Sequence, residues 1–178
     1  MAARSRAVVT AAYRAFGYPR APMTALATSR RLHSPDPDAT TRLGLALATV
    51  ARAGDLICLW GDLGAGKTHL AKAIGAGLGV TDTIVSPSFI LMAEYRGRLP
   101  LFHLDPYRLV DAEDALAGGL IDERQAEGLT LVEWPERLGD ALPEGRLDVH
   151  IDGSGDDPRE ITLIAGSPDY ERYLAVVP

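Results

Sequence analysis

A glycine-rich loop, residues 61–68, constrains this 178-residue chain more than any other part of its sequence. The loop follows the Gly-x4-Gly-Lys-Thr pattern and lies between a short apolar run, Leu56–Trp60, and residues 67–78, which have helical spacing. A buried strand, such a loop and a helix in this order form a phosphate-binding loop, or P-loop, whose backbone N–H groups and helix N-terminus hold phosphate oxygens. The sequence therefore predicts a purine nucleoside triphosphate site, with the base left open.

Two side chains of the P-loop are expected to carry its chemistry. Lys67 neutralises phosphate oxygens in such loops, and the Thr68 hydroxyl binds Mg²⁺. The alternative, a chance glycine-rich turn, is disfavoured because the flanking strand and helix patterns both agree with the motif. The residues expected to contact the nucleotide are Gly61, Asp62, Leu63, Gly64, Ala65, Gly66, Lys67 and Thr68.

P-loop ATPases normally place a further carboxylate at the end of a neighbouring apolar strand, where it meets the Mg²⁺ shell or orients water. Two apolar segments end in this way, residues 129–133 at Glu133 and residues 101–105 at Asp105. Either side chain alone could instead be an ordinary strand-end residue that caps a turn. Beside a P-loop, both are candidate catalytic carboxylates.

Three further features leave alternatives open. The segment 86–89 (SPSF) lies where nucleotide-binding proteins can place a γ-phosphate sensor, although a turn that begins a strand is the simpler interpretation. His103 lies within a predicted strand, which favours a structural role. Trp134 follows Glu133 and is either a core residue or part of the site.

The order of predicted elements favours an α/β fold. Helices are predicted over residues 34–52, 67–78, 111–116 and 170–174. Strands are predicted over residues 56–60, 89–95, 99–104, 129–133, 147–151 and 161–164, of which 89–95 and 99–104 form a hairpin and the last two are edge-type strands. These elements predict a P-loop NTPase-like three-layer fold, with a central mixed, mainly parallel sheet flanked by helices, in a single domain over residues 34–178.

The charge is unevenly distributed along the chain. The net charge is -6, yet residues 1–35 hold six Arg and no carboxylate, so the remainder carries all 24 acidic side chains against 12 basic ones. So acidic a body is a poor unaided binder of nucleic acid, and if RNA is involved we expect a partner protein to hold it. Residues 1–33 are expected to be a basic, disordered extension, with a transit-type signal or an upstream-start extension as alternatives.

Composition excludes several classes of protein. No run approaches the ~20 apolar residues of a membrane span. One cysteine, Cys58, excludes a disulfide framework and a thiolate metal cluster, and four scattered histidines make Mg²⁺ the metal that suits the chain best. We expect a cytoplasmic protein with no membrane partner.

Four motifs, in this order and spacing, resemble the TsaE family, also called YjeE. They are residues 61–68 (GDLGAGKT), 86–89 (SPSF), 102–109 (FHLDPYRL) and 133–136 (EWPE). The resemblance implies a small bacterial P-loop ATPase needed for N6-threonylcarbamoyladenosine (t6A) at position 37 of tRNAs that read ANN codons. It further implies that the protein acts with TsaB and TsaD, while a separate enzyme makes threonylcarbamoyl-adenylate.

The resemblance also implies residue roles, with Ser88 standing where the family usually has Thr. Ser86 and Ser88 would belong to a switch-like segment. The implied site consists of Lys67 and Thr68 at the phosphates and Mg²⁺, Glu133 as metal-site carboxylate, Asp105 as second catalytic acid, Trp134 beside the nucleotide, and Arg159 approaching from the C-terminal hairpin.

Three functions are compatible with these residues. The first is an accessory ATPase that resets or licenses a partner complex. The second is a small-molecule P-loop kinase, which would need an acceptor pocket and an Arg-bearing lid, whereas basic residues after Thr68 are few and dispersed. The third is a nucleotide-binding interaction module whose turnover is incidental.

Overall fold

The computed structural model describes residues 28–109 and 123–177, and a seven-stranded sheet forms its centre. The strands are β1 (Thr28–Ser34), β2 (Leu56–Trp60), β3 (Met92–Tyr95), β4 (Leu101–Leu104), β5 (Leu129–Glu133), β6 (Leu147–Asp152) and β7 (Arg159–Ala165). The helices within the described residues are α1 (Pro37–Val50), α2 (Lys67–Gly77) and α3 (Glu171–Ala175).

The strand order is β1-β7-β6-β2-β5-β4-β3. Strands β6, β2, β5 and β4 are parallel neighbours, whereas β7, β1 and β3 pair antiparallel at the two sides. This mixed sheet, whose inner strands β6, β2, β5 and β4 are parallel, confirms the predicted α/β fold class. Because parallel strands end at one edge of the sheet, the P-loop after β2, Asp105 after β4 and Glu133 at the end of β5 share that edge.

Alternating side chains of the strands divide the core between the two faces of the sheet. On one face, Ile57 and Leu59 of β2 pack with Leu43 and Leu47 of α1 and with Leu70 of α2. On the other face, residues of β2, β4 and β5 pack with loop residues that include Leu138 and Leu142. The predicted helix 111–116 lies outside the described residues.

Helices α1 and α2 approach each other closely through small residues. Asp36 caps α1, since its carboxylate accepts a hydrogen bond of 2.7 Å from the Ala39 N–H. A Cβ added at Gly44 would lie 2.4 Å from the Ala73 Cβ, so only glycine permits this approach. The contact anchors the helix that follows the P-loop against the rest of the core.

The N-terminal boundary of the fold differs from the prediction. Strand β1 begins at Thr28, ahead of the predicted boundary at residue 34, and pairs along its length with β7. Its exposed Arg30 and Arg31 hide it in the sequence, because only pairing with a distant strand makes this polar segment a strand. Residues 1–27 of the predicted extension lie outside the described residues.

The predicted edge positions of the last two strands are wrong. Strand β6 lies between β2 and β7, and β7 lies between β6 and β1. The predicted hairpin is confirmed, but its strands are shorter, because residues 89–91 form a turn before β3. Among the helices of the described residues, none has the length and apolar character needed to cross a bilayer.

Candidate functional site

The P-loop joins the end of β2 to the start of α2 through glycines in unusual backbone positions. Gly66, the N-cap of α2, has a φ of 106°, which a residue with a side chain rarely adopts. At Gly61 a Cβ would lie 2.4 Å from the Ile151 carbonyl oxygen, so the loop passes directly against the end of β6. These positions explain why the motif requires glycine here.

Lys67 is buried inside the P-loop. Its Nζ donates hydrogen bonds to the carbonyl oxygens of Gly61 at 2.6 Å and Asp62 at 2.9 Å. The ammonium also lies 3.6 Å from the centre of the Trp134 ring. Burial lowers the pKa of Lys67, and the nearby carboxylates, Glu133 foremost, oppose that shift. A bound phosphate would give this buried cation an anion in direct contact.

A chain of hydrogen bonds connects the P-loop to the two neighbouring strands. The Thr68 hydroxyl donates to Glu133 Oε2 at 2.8 Å, and His103 Nε2 lies 2.8 Å from Glu133 Oε1. Glu133 is 2% exposed and His103 is fully buried. The imidazole therefore holds the carboxylate toward the Thr68 hydroxyl. His103 thus has a positioning role that the strand pattern alone did not reveal.

Asp105 joins the segment 86–89 to the turn after β4. The Ser86 hydroxyl donates to Asp105 Oδ2, and the Tyr107 N–H donates to Asp105 Oδ1 at 3.1 Å. Asp105 is 3% exposed. Pro87 begins a turn, with its carbonyl oxygen accepting the N–H groups of Ile90 and Leu91. The segment is a turn before a strand, and it also contacts the candidate acid.

Trp134 lies outside the two apolar core clusters and beside Lys67. Its backbone is left-handed, with φ 52° and ψ 49°, which turns the ring out of strand β5. The ring lies 4.8 Å from the Tyr107 ring, centre to centre, and under the Lys67 ammonium. The Trp134 ring therefore lies against the P-loop lysine, and its contact with a nucleotide stays a prediction.

These side chains surround one cavity of about 470 Å³, here called the phosphate cavity. Its lining includes Lys67, Thr68, Asp105, Glu133 and Trp134, together with Leu63, Gly64, Gly66, Ser86 and Ser88. The predicted catalytic and metal residues are therefore brought together.

Arg159 lies outside the phosphate cavity, next to Ala65 of the P-loop. The Arg159 guanidinium donates to the carbonyl oxygens of Ala65 at 2.9 Å and Gly155 at 2.8 Å, and so braces the P-loop against the β6–β7 hairpin. It lines a second cavity of about 260 Å³, here called the hairpin cavity, with Asp36, Thr40 and His69. His69 lines both cavities and was not anticipated, although it follows the motif directly.

Comparison with known proteins decides the family. Residues 34–161 match the sequence model of the family described as "Threonylcarbamoyl adenosine biosynthesis protein TsaE". The chain belongs to the TsaE family. The resemblance of the four motifs to TsaE is therefore confirmed.

Relatives of the TsaE family match over most of their length. A tRNA threonylcarbamoyladenosine biosynthesis protein TsaE from Bacillus subtilis is 42% identical over 137 residues, covering 76% of this chain and 85% of the relative. One from Treponema pallidum is 38% identical over 124 residues, covering 70% of this chain and 92% of the relative. The crystal structure of Bacillus subtilis YdiB superposes with a TM-score of 0.71 at 33% identity, covering 85% of this chain and 95% of that one.

Proposed function

We propose that this TsaE-family protein binds Mg-ATP in the phosphate cavity and hydrolyses it as an accessory protein in t6A formation at position 37 of ANN-decoding tRNAs. The family match and its named relatives support the place in t6A biosynthesis. The observation that carries the ATPase is the hydrogen bond between Thr68 and Glu133 in the cavity that Lys67 also lines. One cavity thus holds the Lys67 ammonium, which can bind phosphate, and the oxygen atoms of Thr68 and Glu133, which can bind a metal ion.

The oxygen donors of this site suit Mg²⁺. Thr68 and Glu133 offer hard oxygen atoms, which Mg²⁺ prefers, and it usually completes its shell with water and substrate phosphates. Among the described residues, no three His, Cys, Asp or Glu side chains gather into a metal site of their own. Thr68 and Glu133 would therefore hold the ion together with the nucleotide, and the ion would neutralise charge on the phosphates.

Asp105 is the proposed acid that acts on the hydrolytic step. It lines the phosphate cavity, is almost fully buried and accepts hydrogen bonds from Ser86 and Tyr107. A carboxylate held on two sides has one orientation toward the cavity, which suits it to orient an attacking water. Lys67 would bind the phosphates, and Trp134 would cover the nucleotide.

The hairpin cavity is the proposed place of the nucleoside. It adjoins the P-loop through Ala65 and Gly66, and it is lined by polar groups of Ser34, Thr40 and His69. A nucleotide whose phosphates lie in the P-loop can reach it without crossing the sheet. ATP is the proposed nucleotide because the resemblance to the TsaE family implies an ATPase, and Arg159 would support the P-loop beside it.

TsaB and TsaD are the proposed partners, and tRNA is met only through their complex. Residues 36–178 carry 24 acidic against 12 basic side chains, which disfavours direct contact with tRNA phosphates. The proposed location of this role is the cytoplasm.

The experiment that tests this function compares ATP hydrolysis by the protein alone and with TsaB–TsaD. We expect slow turnover alone and a clear increase with the partners. Fast turnover that depends on a small-molecule acceptor would instead identify a kinase, and turnover unaffected by TsaB–TsaD would contradict the accessory role.

A further inference from the structure

Two segments at the rim of the phosphate cavity contact each other twice. Ser86 bonds Asp105 inside the cavity, and three residues further along both segments the Arg108 guanidinium lies 4.3 Å from the centre of the Phe89 ring. The two pairs have the same spacing. Asp105 and Arg108 therefore approach the cavity as one unit with the segment 86–89.

Burial in the core does not explain the position of the Phe89 side chain. Its side chain is 83% exposed, although burial of a phenyl ring is normally a major gain in stability. The contact that the structure gives its ring is with Arg108. An aromatic face can hold a guanidinium plane while leaving the N–H edge free for oxygen ligands.

Arg108 lines the same cavity as Lys67, Thr68 and Glu133. Lys67 brings one positive charge into a cavity that also contains the carboxylates of Asp105 and Glu133. Phosphoryl transfer spreads negative charge over the transferring group, and P-loop proteins commonly meet it with an arginine. Other nearby arginines are less suited, because Arg159 is bonded to loop carbonyl oxygens and Arg137 lies over Tyr107 at 5.8 Å, away from the cavity lining.

We infer that Arg108 is a catalytic residue that contacts the γ-phosphate of the bound nucleotide, and that Phe89 is the positioning residue that holds its guanidinium at the rim. The inference rests on the proposed ATPase function and adds a built-in arginine to it. Arg108 donates N–H groups to the transferring phosphoryl oxygens while Lys67 remains on the loop side. Exposed Phe89 makes this arginine sensitive to whatever contacts the rim.

The test measures binding of Mg-ADP alone and of Mg-ADP with aluminium fluoride, which imitates the transferring phosphoryl group, together with ATP turnover. We expect Arg108→Ala to bind ADP within about twofold of the wild type. It should bind the aluminium fluoride complex at least tenfold more weakly and lose roughly 10²- to 10³-fold in turnover, somewhat below the usual effect of an arginine finger because Arg108 is exposed. Arg137→Ala, which removes another exposed arginine over an aromatic ring, should match the wild type.

Phe89 has a separate readout. Phe89→Tyr retains an aromatic face and should behave as the wild type, whereas Phe89→Ala should lower turnover several-fold with ADP affinity unchanged. A loss of turnover in Phe89→Tyr as large as that in Phe89→Ala would show that the aromatic face does not position Arg108.

Each remaining outcome decides against the inference. Unchanged aluminium fluoride binding and turnover in Arg108→Ala would show that Arg108 does not meet the phosphoryl group. Equal losses of ADP and aluminium fluoride binding would assign it a general structural role. A wild type that neither binds nor hydrolyses ATP would refute the proposed function itself, and the role of Arg108 with it.

Discussion

Lys67 is the side chain on which nucleotide affinity depends most directly. Its Nζ donates hydrogen bonds to the carbonyl oxygens of Gly61 and Asp62, and water can replace these contacts. Lys67 is the one cation within the P-loop, residues 61–68, so nothing else in the loop can replace its charge at a bound phosphate. We predict that Lys67→Ala folds normally and loses about 1.5 to 3 kcal/mol of ATP binding, or roughly 10- to 150-fold in affinity.

Titration with a fluorescent ATP analogue checks this prediction. Lys72→Ala is the matched control, since Lys72 is exposed on the same helix and should leave affinity unchanged. Equal affinities for Lys67→Ala and the wild type would remove the P-loop assignment.

Glu133 and Asp105 are predicted to differ in the step that they serve. Glu133 bonds the Thr68 hydroxyl, so Glu133→Gln should weaken Mg²⁺-dependent nucleotide binding and turnover together. Asp105 bonds Ser86 instead, so Asp105→Asn should retain ATP binding and lose about 10²- to 10⁴-fold in turnover. Nucleotide affinity measured against Mg²⁺ concentration separates the two variants. The opposite pattern would exchange their roles.

At the residue scale, the motif residues could be predicted and their supporting partners could not. Lys67, Thr68, Asp105, Glu133 and Trp134 lie around one cavity as their positions after strands indicated. The bond from His103 to Glu133 depends on β4 and β5 being parallel neighbours, which no local pattern states.

The α1–α2 contact is the element-scale feature most sensitive to a single methyl group. A Cβ at Gly44 would lie 2.4 Å from the Ala73 Cβ and 3.0 Å from the Ile74 backbone nitrogen. Alanine gains about 1 kcal/mol of helix propensity over glycine, but overpacking typically costs about 1–3 kcal/mol. We predict that Gly44→Ala lowers the free energy of unfolding by up to about 2 kcal/mol.

Urea unfolding measures this difference. Arg42→Ala, at an exposed position of the same helix, should stay within about 0.5 kcal/mol of the wild type. A Gly44→Ala protein more stable than the wild type would show that the two helices separate easily.

Elements defined by local pattern were predicted well, and those defined by distant pairing were not. Strand β2, the P-loop and α2 follow one another in sequence, so apolar runs and glycines identify them. Strand β1 depends on its pairing with the distant strand β7. Strand β6 is not at the edge of the sheet, because β7 and then β1 pair beyond it. Such strands carry no local signal of their place in the sheet.

At the scale of the whole molecule, a buried histidine makes stability depend on pH. His150 is 1% exposed, and its ring stacks on Trp60 with centres 5.4 Å apart. Burial foremost lowers the pKa of His150 to about 4, with Asp148 opposing and Arg146 adding to the shift. In the unfolded chain this histidine takes up a proton near pH 6.5, so its contribution to stability is present above that pH and lost as pH falls toward 4.

We predict that His150 makes the folded state less stable by on the order of 3 kcal/mol at pH 4 than at pH 7. His150→Phe keeps an aromatic ring against Trp60 and should flatten that part of the pH profile. The measurement is urea unfolding of both proteins across this range. Parallel profiles for the two proteins would show that His150 is not responsible.

The central claim is that nucleotide turnover in the phosphate cavity supports t6A formation. The most direct measurement is t6A produced on an ANN-decoding tRNA in a reaction reconstituted with TsaB, TsaD and threonylcarbamoyl-adenylate, with this protein added as wild type or as Asp105→Asn. We predict repeated t6A formation with the wild type, and little with Asp105→Asn although that variant still binds ATP. The account would be contradicted if Asp105→Asn gave as much t6A as the wild type, or if the reaction without either protein gave as much t6A as the reaction with the wild type.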